Sequence, residues 1–242
     1  MGKYNGISDK NRKLGEKGWN YKMKNILCYG DSNTFGYNPD FTGYEDVRFP
    51  WDVRWTGVLQ KELGGDYRVI EEGLGGRTTA WEDQTVPGRS GLKMLLPILQ
   101  SHEPLDLVIL MLGTNDAKRI YNQSVMEIGR GLDALIKICK SPYTYDWADA
   151  QTKLPQVMVV SPPHLGRTFD QSWLRGVFDN ESKGKIAALA EEYKKIADQY
   201  GCAFFDAGAV AEPSDTDGVH LDCSGHRALG QAMAEKIRSI EE

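Results

Sequence analysis

Ser32 follows a short apolar run, Ile26-Leu27-Cys28-Tyr29, that closes on Gly30 and Asp31. Far downstream, Asp217 and His220 stand three residues apart in a turn of small residues, Asp217-Gly218-Val219-His220. The chemistry these residue types suggest is acyl transfer. A serine hydroxyl is a poor nucleophile until a histidine accepts its proton, and that histidine needs a carboxylate to fix its tautomer and stabilise the imidazolium. The spacing lets the Asp217 carboxylate meet Nδ1 of His220, so one loop supplies both base and orienter. Acyl transfer also builds an oxyanion, which needs preorganised N–H donors. Ser32 sits just past a strand end, where backbone amides are free. Gly76 can bring its N–H close because it has no side chain, and Asn115, in Gly113-Thr114-Asn115-Asp116, offers a side-chain amide.

Elements with two alternating periods must bring these residues together. Apolar runs over 26–29, 107–112, 157–160 and 202–205, and the segment 67–71, read as strands. Periodic segments over 53–63, 92–100, 125–139, 181–199 and 225–240 read as helices, the first stopped by Gly64-Gly65. The run 107–112 is apolar throughout, as expected of a strand covered on both faces. Alternation of this kind predicts an α/β fold, a three-layer α/β/α sandwich with a central parallel sheet of about five strands. In such sheets ligands bind outside the carboxyl ends of the strands. The segments that follow the strands are those holding Ser32, Gly76, Asn115, His164 and the 217–220 turn. Long segments at 33–52, 77–90, 141–155 and 163–180 are rich in Trp, Tyr, Pro and Gly, as functional or interface-forming loops are.

Composition narrows the classes. The chain has 242 residues, 40% hydrophobic and 26% charged, enough for a proper core in one large domain or two small ones. Its longest strictly apolar run is six residues, against the ~20 of a spanning helix. No membrane association is expected, and no secretory leader is recognisable. Four widely spaced cysteines form no C-x-x-C pair and fit a reducing cytoplasm. The net charge of −5 is uneven: residues 1–24 hold seven Lys/Arg against two Asp/Glu, a balance of +5, leaving −10 on the remaining 218. An acidic body repels nucleic acid. The basic segment reads as an N-terminal extension over 1–24, and the catalytic domain as 25–242.

The blocks Gly30-Asp31-Ser32, Gly76, Gly113-Thr114-Asn115-Asp116 and Asp217-x-x-His220 resemble, in that order, the four blocks of the SGNH (GDSL-type) hydrolase superfamily. That resemblance implies a flavodoxin-like fold, Ser32 as nucleophile, His220 as base with Asp217 as its partner, and an oxyanion hole of Ser32, Gly76 and Asn115. Gly75 lies one residue from Gly76, so the choice between them rests on the alignment. Longer stretches, 52–59, 69–74, 105–116 and 204–208, resemble the arylesterase/acyltransferase subgroup. This implies hydrolysis of short-chain and aryl esters, acyl transfer to alcohols or hydrogen peroxide, and assembly into homo-oligomers up to octamers. Asn33 stands where the motif's name has leucine, and Phe35 and Tyr37 where the subgroup tends to carry tryptophans. Around the triad, Asp31, Phe35, Tyr37, Thr114, Lys118 and Val219 are the expected substrate contacts.

Other readings remain to be weighed. Singly, Ser32 could cap a helix, Asp217-Gly218 could be an ordinary turn, and Asn115 and Asp116 could cap the next segment. His164 reads as a loop residue, His102 and His226 as residues near helix ends, and Asp222/His226 as a structural pair. Trp81, Trp173 and Phe178 read as pocket, core or subunit contact. A carbohydrate O-acetyl esterase would use the same triad. A metal-dependent phosphoesterase built on Asp31, Asn115, Asp116 and His220 lacks the dense ligand sets of a two-metal site. A nucleotide or flavin binder fails because Gly73-x-Gly75 needs Gly at 78, where Thr78 stands, and no P-loop occurs. No cofactor and no metal are expected.

Overall fold

The computed structural model describes residues 23–145 and 153–241. Apart from Met23 and Lys24, the basic extension expected over 1–24 lies outside the described residues, as does part of the long segment at 141–155. Five strands form one parallel sheet: β1 (Lys24–Gly30), β2 (Tyr67–Gly73), β3 (Leu107–Met111), β4 (Gln156–Ser161) and β5 (Ala203–Asp206). Their order is β2-β1-β3-β4-β5, so the chain moves outward from β1 to β2 and then crosses back to β3 on the other side. That reversal at β1/β3 is the switch point where doubly wound sheets place ligands.

Successive strand residues point to opposite faces, and in the central strands β1, β3 and β4 both faces are buried, which explains their apolar runs. Leu27, Tyr29, Val108, Leu110, Val157 and Val159 pack under α3 (Gly91–His102), α4 (Val125–Cys139) and α5 (Asn180–Tyr200). Ile26, Cys28, Ile109, Met111, Met158 and Val160 pack under α2 (Trp55–Leu63) and α6 (Cys223–Glu241). The result is the expected three-layer sandwich. α4 spans the predicted 125–139, α2 begins two residues later than predicted, and α3, α5 and α6 run slightly longer than the periodicity; side chains cap several of the ends. Ser124 and Glu127 form a reciprocal capping box on α4, and the Asp222 carboxylate accepts the Ser224 and Gly225 amides at 2.8 Å each to start α6.

One element has no counterpart in the sequence pattern. Residues Ser32–Phe35 form a four-residue helix, α1, too short to show a period. Asp31 caps it by accepting the Asn33 N–H at 3.0 Å, and Gly36 ends it in the left-handed region at φ 81°. The turn lies directly against the end of β2, where a Cβ on Gly73 would meet the Phe35 nitrogen at 2.0 Å. Only glycine permits that approach.

Candidate active site

α1 lifts Ser32 off the carboxyl end of β1, next to the switch point. Its backbone is pinned by the Gly36 and Tyr37 N–H groups donating to the Ser32 carbonyl at 2.9 and 3.0 Å. The 214–221 loop reaches it from the far end of the chain. Asp217 is buried, and its Oδ1 accepts the Val219 and His220 amides at 2.9 Å each. The other oxygen, Oδ2, lies 2.6 Å from Nδ1 of His220. Nδ1 therefore carries the proton, and Nε2 is left to face the Ser32 hydroxyl at 3.0 Å. Burial works to raise the Asp217 carboxyl, but the His220 bond and charge and the two amides outweigh it and hold it below its ordinary value. The Tyr37 ring lies over His220, with centroids 4.3 Å apart at 43°.

The opposite side of Ser32 is built from the segments after β2 and β3. Leu74 to Arg77 is a tight turn, closed by the Arg77 N–H on the Leu74 carbonyl at 3.0 Å, with Gly76 at φ 80°. That position of the turn requires positive φ, which favours glycine and separates Gly76 from Gly75. Asn115 Nδ2 donates to the Arg77 carbonyl at 3.1 Å and lies 3.4 Å from Asp31 Oδ2, so it bridges the two loops. Among the described residues, the Ser32 and Gly76 amides donate to no protein acceptor. Two backbone N–H groups, on Ser32 and Gly76, are thus unpaired, while the Asn115 amide is engaged by the Arg77 carbonyl and Asp31.

The sequence profile of the GDSL-like lipase/acylhydrolase family matches residues 28–228. The chain belongs to that family. Among solved structures of similar fold, an aryl esterase of M. smegmatis is 41% identical, with a TM-score of 0.82 over 89% of this chain and 99% of that one. A carbohydrate acetylesterase family member from Sinorhizobium meliloti is 38% identical, with a TM-score of 0.81 over 90% and 99%. An arylesterase of Vibrio mimicus is 27% identical over 60% of this chain and 58% of its own. The chain spans less than two thirds of the length of the curated relatives it matches.

Within this family member, the other residues singled out from sequence divide. Val219 lies next to His220 in the chain and engages Asp217 and Asn33 through its backbone. Asp31 is buried as the cap of α1, and burial raises its carboxyl. Thr114 is buried just before Asn115. Phe35 stacks under the Arg48 guanidinium at 4.3 Å, which engages its ring with protein. The Lys118 ammonium lies 5.9 Å from the Phe178 ring, and burial lowers its pKa. His164 is exposed, and His102 pairs with Glu72 at 2.8 Å. His226 is fully buried in the first turn of α6, where its Nδ1 accepts the Trp55 N–H at 3.2 Å. Of the four residues a phosphoesterase would use, Asp116 is turned away: it is buried and accepts the Thr79 N–H at 2.9 and 3.0 Å.

Sequence reasoning missed the groups that brace the site. Arg77 is buried, donates to the Gly30 carbonyl at 2.9 Å and stacks on Tyr29 at 4.1 Å, tying the Gly76 turn to the end of β1. Asp116 ties the Asn115 segment to Thr79 in the same way. A charged residue beside a motif is the only signal either leaves in the sequence, because each partner is remote in the chain.

Proposed function

We propose that the chain hydrolyses short-chain or aryl carboxylic esters through an acyl-enzyme on Ser32. The observation that carries this reading is the line from Asp217 Oδ2 to His220 Nδ1, 2.6 Å, and from Nε2 to Ser32 Oγ, 3.0 Å. His220 takes the hydroxyl proton as Oγ attacks the ester carbonyl. The Ser32 and Gly76 amides are free to hold the oxyanion, and Asn115 Nδ2 joins them by giving up its 3.4 Å contact with Asp31 Oδ2; losing one such donor typically costs ~10²–10³ in kcat. On collapse the ester C–O bond breaks, and the departing alkoxide takes the proton from His220. Water, activated by the same nitrogen, then attacks the acyl-enzyme, frees the carboxylic acid and restores Ser32. An alcohol or hydrogen peroxide in place of water gives acyl transfer, and the product ratio with added alcohol measures it.

The test is aryl acetate turnover by the wild type and Ser32→Ala, each with and without EDTA. Chelator-insensitive activity that disappears in the variant supports the serine mechanism. Labelling by a fluorophosphonate at any residue other than Ser32 would sink it. A second reading, O-acetyl sugar esters as substrate, takes support from the similarity to the Sinorhizobium meliloti carbohydrate acetylesterase family member. Comparing kcat/KM for acetylated sugars and aryl acetates separates the two. Self-association belongs to the same proposal. Ile120, Trp173 and Val177 are exposed on segments joined by the Arg119 N–H to Val177 carbonyl bond of 3.1 Å, an apolar area of the kind that oligomers cover. Light scattering reads the assembly directly.

A further inference from the structure

Asn33 follows the nucleophile and is 3% exposed. Its side chain crosses to the loop that carries His220. There Oδ1 accepts the Leu221 N–H at 2.9 Å, and Nδ2 reaches the Val219 carbonyl at 3.4 Å. The orientation of the amide is fixed, because the Leu221 N–H can only donate and the Val219 oxygen can only accept. These two backbone groups flank His220 on either side. The amide therefore grips the base from both neighbours, as one strand grips the next in a parallel pair.

Both ends of this strut are themselves fixed. The Asn33 main-chain N–H is held by Asp31 Oδ1 at 3.0 Å, within the helix that carries Ser32. On the other side, the Val219 and His220 amides are committed to Asp217. Asn33 thus links the nucleophile and the base through one rigid side chain, across 188 positions of sequence. A leucine, the residue that names the related motif, has the same branching but bulkier ends and makes neither bond, so it leaves a buried donor and acceptor unpaired.

We propose that Asn33 is a positioning residue for His220, holding Nε2 at hydrogen-bond distance from the Ser32 hydroxyl. The inference rests on Ser32 and His220 acting as nucleophile and base. The full chain is tested as wild type, Asn33→Leu and Asn33→Asp, with aryl acetate turnover, fluorophosphonate labelling and amide exchange of Leu221 by NMR. For Asn33→Leu the expected kcat falls about 10- to 100-fold, the scale of a small misplacement of reacting groups. KM stays unchanged, since the amide does not touch substrate. Labelling of Ser32 stays stoichiometric but slows by the same factor as kcat, and the Leu221 amide exchanges faster. Asn33→Asp keeps the acceptor for Leu221 and recovers part of the rate.

Wild-type kcat and labelling rate in Asn33→Leu would overturn the proposal. So would a labelled fraction that falls in proportion to kcat, because lost folding rather than lost geometry would then explain the rate. Asn33→Asp no faster than Asn33→Leu also counts against it. An unlabelled Ser32 in the wild type overturns this inference and the esterase reading together, and that result is read before either variant is made.

Discussion

At the scale of single residues, Asp217 has one oxygen committed to two backbone amides and the other to Nδ1 of His220. An asparagine there must place its carbonyl oxygen on the amides, which turns its NH₂ toward Nδ1. The imidazole then shifts its proton to Nε2 and can no longer accept one from Ser32. Asp217→Asn is expected to lower kcat by ~10⁴ with little change in Tm. An unchanged rate would mean that another acid orients the base. Two buried groups behind the site carry a pH signature. Burial, partly offset by the Thr79 hydrogen bonds, lifts Asp116 from 3.8 to about 6, while burial lowers His226 from 6.5 to about 4. Asp116 binds its proton more tightly folded than unfolded, so its contribution to stability is lost as pH rises from about 4 to 6. His226 binds its proton more weakly folded, so its contribution grows over nearly the same window. The two oppose one another. In Asp116→Asn the histidine acts alone, and urea denaturation should show stability rising between pH 4 and 6.5 by on the order of 1 kcal/mol per pH unit more steeply than in the wild type. Matching slopes in the two proteins would show that Asp116 is ionised throughout.

At the scale of elements, the position of Ser32, the proposed nucleophile, depends on a short helix wedged against the end of β2. The backbone of α1 at Thr34 and Phe35 lies 2.4 and 2.0 Å from where a Gly73 side chain would begin. Beside it, Arg48 donates to the Phe35 carbonyl at 2.7 Å and pairs with Glu71 of β2 at 3.0 Å, while Thr56 of α2 donates to Glu71 at 2.6 Å. The turn is therefore anchored to β2 by sterics and by charge. Gly73→Ala must push α1 outward, a strain of ~1–3 kcal/mol by comparison with overpacked cores. Both Tm and aryl acetate kcat are expected to fall, because the displaced backbone carries Ser32. A lowered Tm with wild-type kcat would mean that α1 yields without moving the hydroxyl.

At the scale of the whole molecule, residues from 31 to 221 converge on one edge of a single sheet, and the family profile covers 28–228. The body holding them carries −10, and the first 24 residues carry +5. Since β1 begins at Lys24 and, among the described residues, no side chain proposed for the site precedes Asp31, removing residues 1–22 should leave kcat for aryl acetates unchanged. A large loss of activity in the truncated chain would show that the basic segment contributes to the site or to its folding. Light scattering on the same truncated chain reads whether that segment supports assembly.

The five strands and five long helices were legible in the sequence because burial on two faces imposes continuous apolar runs on the central strands, and burial on one face imposes a helical period. The residues proposed as triad and oxyanion donors could be singled out because acyl transfer restricts the residue types to a few. α1 was not, since four residues carry no period, and neither were the tasks of Asn33, Arg77 and Asp116. Their partners, at 219 and 221, at 30, and at 79, are defined by the crossing of loops in space. By itself, then, the sequence determined which groups could react and which elements could carry them. Only the tertiary structure decided how those groups are held, because a hydrogen bond between remote segments depends on distances that no local pattern encodes.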